Sequence, residues 1–591
     1  MKTTGAILIA LMLAPLLGRH AGLSMPSAAG AAFYDDDPLW VEPMTQDVTK
    51  ATDYEPDMGY EYLVSYLGNF RLPSDILPPP RAANVNTIDE VPDGPIFTNR
   101  AGRIALTPEV VVRAANTGEG PQGVWTVVAA KTDGVTPGFT IRDGQGTEWF
   151  LKVDPRGWPG MSTGSEIVGA KLFWALGYYT AEYYIVKLVP SNLKIAEGTR
   201  VRGSHGGEHV LKMKDIDELL DLTDRAPDGS CRAIASKAIP GTYVGRIRYA
   251  GTRRDDPNDV VPHEDRRELR GYFVFAAWLN HVDVKADQSL ATVVSEGGHR
   301  FIRTCLLDWG SILGAAGVNL NLGQPISLTL AESRASRRRP GWRRQYWQSY
   351  EPLFEPPKEI GKRMITFGAR IPEWRRLRFY EAPAIGQFAE DPAWDPDQWQ
   401  PYVSNPAFQR ARADDKFWAA YKMTFITEDM IRAVVAEAQF GDRAAEERLI
   451  AYIMDRREKI LSKYLTALNP IVEPELGRDG RLQFRNAAVE FAGAAAPEGY
   501  RASWSSFDNV TGLATPIGVT EAAGTIITTP TLPATPYLRV DLACTGAQYP
   551  TWEEPLVLYF HDRAGSWELV GLERMPEGPV LAGSAAKKAG R

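Results

Sequence analysis

Cysteine is scarce in this 591-residue chain: Cys231, Cys305 and Cys544 stand far apart and are odd in number. At most one bridge can form within the chain, which excludes a disulfide framework. Excess positive charge is missing as well. With 66 Lys and Arg against 73 Asp and Glu, the formal charge of −7 argues against a general nucleic-acid binder. Beyond the first twenty residues there is no apolar run suited to a bilayer, and the chain has no GxGxxG phosphate loop ahead of its one lysine-bearing candidate strand. What is present is a 44% hydrophobic composition, ordinary for globular cores, over a length that calls for two or more domains.

The beginning reads as an export signal. Lys2 precedes the apolar run Ala6 to Gly18, too short to span a bilayer comfortably, and Ala29-Gly30-Ala31 or Gly30-Ala31-Ala32 offers small-residue cleavage. Residues 1–32 are therefore expected to be a signal peptide, leaving the mature protein in the periplasm or outside the cell. A retained N-terminal membrane anchor is the alternative.

The densest chemistry lies between Asn280 and Gly310, in NHVDVKADQSLATVVSEGGHRFIRTCLLDWG. Transfer of a phosphoryl group needs a carboxylate beside the acceptor hydroxyl and oxygen ligands that hold magnesium against phosphates. Asp283 and Asp308 suit those two roles. Thr292 to Val294 and Arg300 to Leu307 read as short strands around Ser295-Glu296-Gly297-Gly298, which deliver Asp308 back toward Asp283. Ahead of the loop, Leu269, Phe273, Ala276 and Asn280 share one helical face between Asp265 and Asn280. The plain reading is that HxD and DWG are short strings, and that an Asp after a strand is a turn former. Their order, rather than either string, carries the argument.

Upstream, EWFLKVDP (Glu148 to Pro155) is an alternating apolar strand carrying Lys152. The run STGSEIVGAKLFWALGY follows, and Val168, Leu172, Ala175 and Tyr179 recur there with helical spacing. Glu166 falls in its first turn, where it can either pair with Lys152 or close a capping box begun at Thr163. Lys152 can likewise be a strand lysine that snorkels to water. The stretch Asp133 to Gly138 can line phosphates through Gly138 and neighbouring amides, or be a simple hairpin loop between strands at Trp125 to Ala130 and Phe139 to Arg142.

Taken together, FLKVDP, GSEIVGAKLFWALGY, RRELRGYFVFAAWLNHVD and LLDWGSILG resemble the divergent bacterial kinase-like proteins related to HipA-type kinases, in particular a group of uncharacterised exported bacterial proteins. The similarity runs from about Trp125 to Leu465. It implies an α+β fold with a bilobal protein-kinase-like core, and ATP and Mg2+ as cofactors. Lys152 would contact phosphates, Glu166 would pair with it, Asp283 would be the catalytic carboxylate, and Asp308 would bind metal. The second metal ligand of that pattern, five residues after the catalytic Asp, is Gln288 where asparagine is expected. Glutamine sets its carbonyl oxygen about 1.5 Å farther out, and magnesium demands near-ideal octahedral distances. A misplacement of about 1 Å costs on the order of a hundredfold in rate. Together with the scarcity of ATP outside the bacterial cytoplasm, this keeps a pseudokinase or envelope scaffold in contention. A third reading, a metal-dependent hydrolase using His281, His299 and Asp308, has the residue types without a standard ligand spacing.

Around this core, residues 33–110 form an expected extension that wraps the first lobe, with Pro78-Pro79-Pro80 as an extended linker. The kinase-like unit is expected over 111–470, its small lobe about 111–200 and its large lobe about 201–470. Arg-rich Tyr249 to Gly271 reads as a salt-bridged loop leading into the helix, or as the wall of an acceptor pocket. The basic cluster Arg337 to Arg344 reads as a solvated loop or an anion-facing surface. Met430 to Ala438 and Arg443 to Tyr464 are predicted core helices. Past a boundary at Asn469 to Gly480, short strands at Ala487 to Phe491, Arg501 to Ser505, Tyr537 to Leu542, Leu556 to His561 and Trp567 to Leu572 predict a small β-sandwich over 481–580. A disordered tail follows at 581–591. The acceptor, whether protein, glycan or lipid, is not legible.

Overall fold

The computed structural model describes residues 31–56, 59, 78–130, 138–202, 208–315, 394–401 and 403–575, with short pieces between 317 and 390. The expected signal peptide up to residue 30, Asp133 to Pro137, the Arg337 to Arg344 cluster and the tail at 581–591 lie outside the described residues. The chain is mixed α+β, with several separate sheets. Among the described residues no helix is long and apolar enough to cross a membrane. All three cysteines are free and buried.

A six-stranded sheet comes first. Its strands are β1 (Trp125–Ala130), β2 (Gly138–Arg142), β3 (Glu148–Val153), β4 (Tyr183–Leu188), β5 (Leu193–Ile195) and β6 (Cys231–Lys237), in the spatial order β4-β6-β3-β2-β1-β5. All neighbours are antiparallel except β1 and β5. Because strand side chains alternate between faces, Trp149, Leu151 and Val153 of β3 enter one apolar core with Val127, Ile141 and Leu188. Lys152 is turned to the opposite face. Lying along that face is α2 (Met161–Leu176), which follows the short α1 (Pro108–Arg113) in the chain and is buried at almost every position. The first core is closed by α3 (Met213–Leu220), which contributes Ile216 and Leu220.

The larger core is helical. Helix α4 (Arg267–Leu279) is wholly buried and packs with α5 (Ala413–Thr424) and α7 (Arg443–Leu465), while α6 (Glu428–Glu437) packs on α1, α2 and α7. Helices α6 and α7 match the predicted runs to within two residues at each end. Asn280 ends α4 in a left-handed conformation, and its side-chain oxygen accepts from Trp399 Nε1 at 3.1 Å. Pro262 precedes a single 3-10 turn at His263–Asp265, just ahead of α4. After β7 (Thr242–Tyr243) and α4, the hairpin β8 (Ser289–Glu296) and β9 (His299–Leu306) pairs Ser289 with Leu306 and Glu296 with His299.

The segment before residue 110 braces more than the first sheet. Glu42 pairs with Arg266 at 2.7 Å, Asn84 donates to buried Glu268 at 2.5 Å, and the Phe97 ring meets Tyr178 and Trp418. Phe33 reaches the far end of the chain, where it sits among Phe507, Tyr537 and Tyr559. The segment thus holds α4, the β8–β9 hairpin and the C-terminal sheet.

That C-terminal region has a three-stranded sheet of β10 (Ile471–Leu476), β11 (Arg481–Asn486) and β14 (Ile526–Thr528). A five-stranded sheet joins β12 (Gly499–Phe507), β13 (Ala514–Ala522), β15 (Tyr537–Thr545), β16 (Leu556–Arg563) and β17 (Ser566–Glu573) in the order β13-β12-β15-β16-β17. The first strand falls inside the expected boundary, because Gly477 to Gly480 is the turn of the β10–β11 hairpin rather than a linker. Ala487–Phe491 is a helix and not the predicted strand. Asn486 caps it by accepting from Val489 N at 3.1 Å, and only Ala487 and Ala488 are buried. A capping side chain and alanines favour a helical turn over pairing.

Candidate active site

Three segments distant in sequence meet at Lys152. Its Nζ donates to Glu166 Oε1 at 2.6 Å and to Asp308 Oδ1 at 2.6 Å, across 14 and 156 residues of chain. Glu166 is fully buried, whereas the Asp308 side chain is 47% exposed, so the triad opens to solvent at Asp308. Burial opposes the Lys152 charge, but Asp308 and Glu166 outweigh it and hold the ammonium protonated well beyond the usual lysine range.

Local geometry decides the two readings of Glu166. Helix α2 begins at Met161, so Thr163 lies inside the first turn and cannot be the cap of a box closed by Glu166. The capping is done by Asp154, just past the end of β3. Its carboxylate accepts from the amides of Gly160, Ser162 and Thr163 at 2.8–2.9 Å and from the Thr163 hydroxyl at 2.7 Å. Freed from that duty, Glu166 turns to Lys152, and its second oxygen accepts from the Trp309 amide at 3.0 Å. Asp154 was not singled out from sequence, although an Asp shortly before a Ser-Thr pair that opens an apolar run is a capping signal.

The hairpin register brings the other carboxylate to the same place. Leu307 N donates to Gln288 O at 2.9 Å, which lays the residue before Asp308 alongside the end of the Asp283 loop. Asp283 is partly buried; Gln288 Nε2 donates to its Oδ2 at 2.7 Å, and Lys285 Nζ lies 3.2 Å from Oδ1. Burial raises the Asp283 carboxyl above the usual range, the Asp308 charge adds to this, and Lys285 pulls it back. Lys285, two residues beyond Asp283, is a second functional candidate that the sequence reading passed over. A cation adjacent to a candidate base was the available signal.

Aromatic rings tie these segments together. Trp309 stacks on Phe173 of α2, with centroids 4.4 Å apart and planes at 21°, and His281 sits 5.3 Å from Trp309 and 6.0 Å from Phe173. Only glycine fits at position 169, since a Cβ there would come within 2.6 Å of Trp309 Cβ. The His281 ring is fully buried, and neither nitrogen has a hydrogen-bond partner among the described residues. Burial pushes its pKa down to about 3, so it packs as a neutral ring. His299 is exposed and faces Asp47 at 3.5 Å. His281, His299 and Asp308 therefore do not assemble, and among the described residues no group of three or more His, Cys, Asp or Glu side chains is placed to hold a metal.

Gly138 opens β2 directly opposite Lys152. A Cβ at this position would lie 2.1 Å from Leu151 O, so glycine is needed for the two strands to approach. The rest of the expected phosphate loop, residues 133–137, is outside the described residues, and Gly138 places its end beside Lys152. Hard oxygen donors are available at Asp308, at the Gln288 side-chain carbonyl and at Asp283. This is the donor class magnesium takes when it binds through one or two carboxylates, its own waters and phosphate oxygens. The arrangement supplies a fixed cation, a partly exposed acid and a base candidate near one another. The chain matches no protein-family model, no curated protein and no solved structure.

Proposed function

We propose that the chain is a kinase-like phosphotransferase, with a bilobal protein-kinase-like core whose small lobe carries Lys152 and Glu166 and whose large lobe carries Asp283, Gln288 and Asp308. The observation that carries this reading is the double 2.6 Å contact of Lys152 with Glu166 and Asp308. Such an arrangement holds a lysine at a phosphate-binding position while leaving a carboxylate exposed toward metal. Magnesium and ATP would be held by Asp308, Gln288 and Lys152, and the nucleotide supplies the transferable phosphoryl group. Asp283, raised in pKa and beside Lys285, orients an acceptor hydroxyl and takes its proton. Glu166 keeps Lys152 in place from a site closed to water, and Trp309 locks the Asp308 turn to α2. The acceptor is a protein, glycan or lipid hydroxyl outside the cytoplasm.

The Gln288 bond to Asp283 supports a second reading, a nucleotide-binding pseudokinase that serves as an envelope scaffold. Donation by the amide nitrogen occupies one oxygen of the candidate base. The test is nucleotide binding and phosphate release by the purified mature protein, with and without magnesium, alongside Asp308→Ala and Gln288→Asn. Magnesium-dependent binding and turnover, both lost in Asp308→Ala, is the expected result. Gln288→Asn should raise turnover several-fold. Binding without turnover in every form selects the scaffold, and absence of nucleotide binding at millimolar concentrations removes both.

A further inference from the structure

A cavity of about 220 Å³ lies apart from the Lys152–Asp308 site, walled by residues 42–54, by the Arg246–Arg266 stretch and by the β8–β9 hairpin. Its apolar wall includes Pro43, Met44, Ile96 and Phe301. Its polar wall is rich in both signs of charge, so its preference depends on which charges are already spent. Glu42 and Asp259 are engaged by Arg266, at 2.7 and 4.0 Å, and Asp259 also faces His263 at 2.9 Å. Asp255 is held by Arg253 at 2.8 Å and by the Thr52 amide and hydroxyl. Asp256 accepts from the Asn258 amide, and burial raises its carboxyl pKa.

Two cations in the lining are not spent in this way. Arg248 has no ion pair with any described residue. Its Nε is buried without a hydrogen-bond partner among the described residues, and its guanidinium lies 5.3 Å from the Tyr54 ring centroid. Arg254 is exposed at the rim and likewise makes no ion pair with a described residue. An arginine with an open fork beside an aromatic ring and an apolar wall suits a planar anion on a compact apolar body.

We propose that this cavity binds a small organic anion, with a carboxylate or phosphate on Arg248, a second contact from Arg254, and an apolar body against Ile96 and Phe301. Nothing in this assignment depends on the nucleotide reading of the Lys152 site. Arg246, also in the lining, donates to Asp287 O and Ser289 O on either side of Gln288, so the occupant abuts the base of the Asp283 loop.

The test is calorimetric titration of the full mature chain with benzoate and with phenyl phosphate, using benzyl alcohol as the uncharged control. At least one anion should bind saturably at millimolar concentration or below while benzyl alcohol does not, and the better of the two tells carboxylate from phosphate. Arg248→Gln should weaken that binding about tenfold or more, the equivalent of one charge-assisted hydrogen bond. Arg254→Gln, at an exposed position that leaves the fold intact, should weaken it by a smaller factor. Should Arg248→Gln fail to fold, Arg254→Gln and the alcohol control still decide. Absence of saturable binding by both anions overturns the proposal, as does equal binding by wild type and the variants or equal binding of benzyl alcohol.

Discussion

Removing the Lys152 ammonium should destabilise the fold through Glu166 rather than through Lys152 itself. In Lys152→Met the methionine fills much of the same volume, but the fully buried Glu166 carboxylate loses its cation. Breaking a buried pair from one side costs about 3–5 kcal/mol. The lower end applies here, because the Lys152 side chain keeps 17% of its exposure and Glu166 retains the Trp309 amide at 3.0 Å. Adding Glu166→Gln removes the stranded charge while preserving an oxygen for Trp309. Most of the loss should then return, leaving the double variant within about 1 kcal/mol of wild type. The deficit of the single variant has a definite pH sign. Without Lys152, burial holds the Glu166 pKa above its unfolded value of 4.5, so the native state takes up the proton first as pH falls. The penalty is full only above the folded pKa and shrinks as the solution is acidified toward the unfolded value. Urea denaturation followed by tryptophan fluorescence, run at several pH values on the wild type, both single variants and the double variant, measures this cycle. A single variant as stable as wild type, or a double variant no better than the worse single, would refute the reasoning.

His281→Phe should be tolerated at neutral pH within about 1 kcal/mol, since the ring packs among aromatics without a nitrogen partner among the described residues. The native His281 resists protonation down to about pH 3 while the unfolded chain accepts a proton near 6.5. Wild-type stability should therefore decline through that window, and the decline should be shallower in the variant; identical acid limbs in thermal melts would contradict the assignment. Phe33→Ala should free residues 31–37 from the C-terminal sheet, because it empties a slot in which the Tyr559 centroid is 5.0 Å away. The expected cost is about 3–5 kcal/mol for that contact, read as rapid amide hydrogen exchange at those residues; unchanged protection there would count against it.

How much of this was legible beforehand varied with the range of the forces involved. Strand β3 and helix α2 were readable because period-2 and period-3.6 patterns are local, and both place Lys152 and Glu166 without knowledge of the partner segment. The choice between cap and ion pair at Glu166 was not, because it depended on where α2 starts. Asp154 sets that start from seven residues before Met161. The meeting of Lys152 with Asp308 was anticipated only from the order of motifs, since no local pattern encodes a contact across 156 residues. His281 looked like a ligand candidate in sequence and became an apolar ring through burial alone. The Ala487–Phe491 run misled in the opposite direction: its residues are compatible with a strand, and the deciding element was the Asn486 cap just outside it.

The seating of Phe33 has a consequence for assembly. Ala32 N donates to Asn509 O, and the Asn509 side chain grips both the amide and the carbonyl of Phe33, across 476 positions. During synthesis Phe33 therefore has no seat until strands β12, β15 and β16 have been made and paired. Contacts of such separation carry the full entropic cost of closing almost the whole polypeptide, so they form late. Until then the aromatic slot stands open and Phe33 is available to the slot of another copy, which makes reciprocal exchange of this segment the characteristic way for the protein to go wrong when it folds at high concentration.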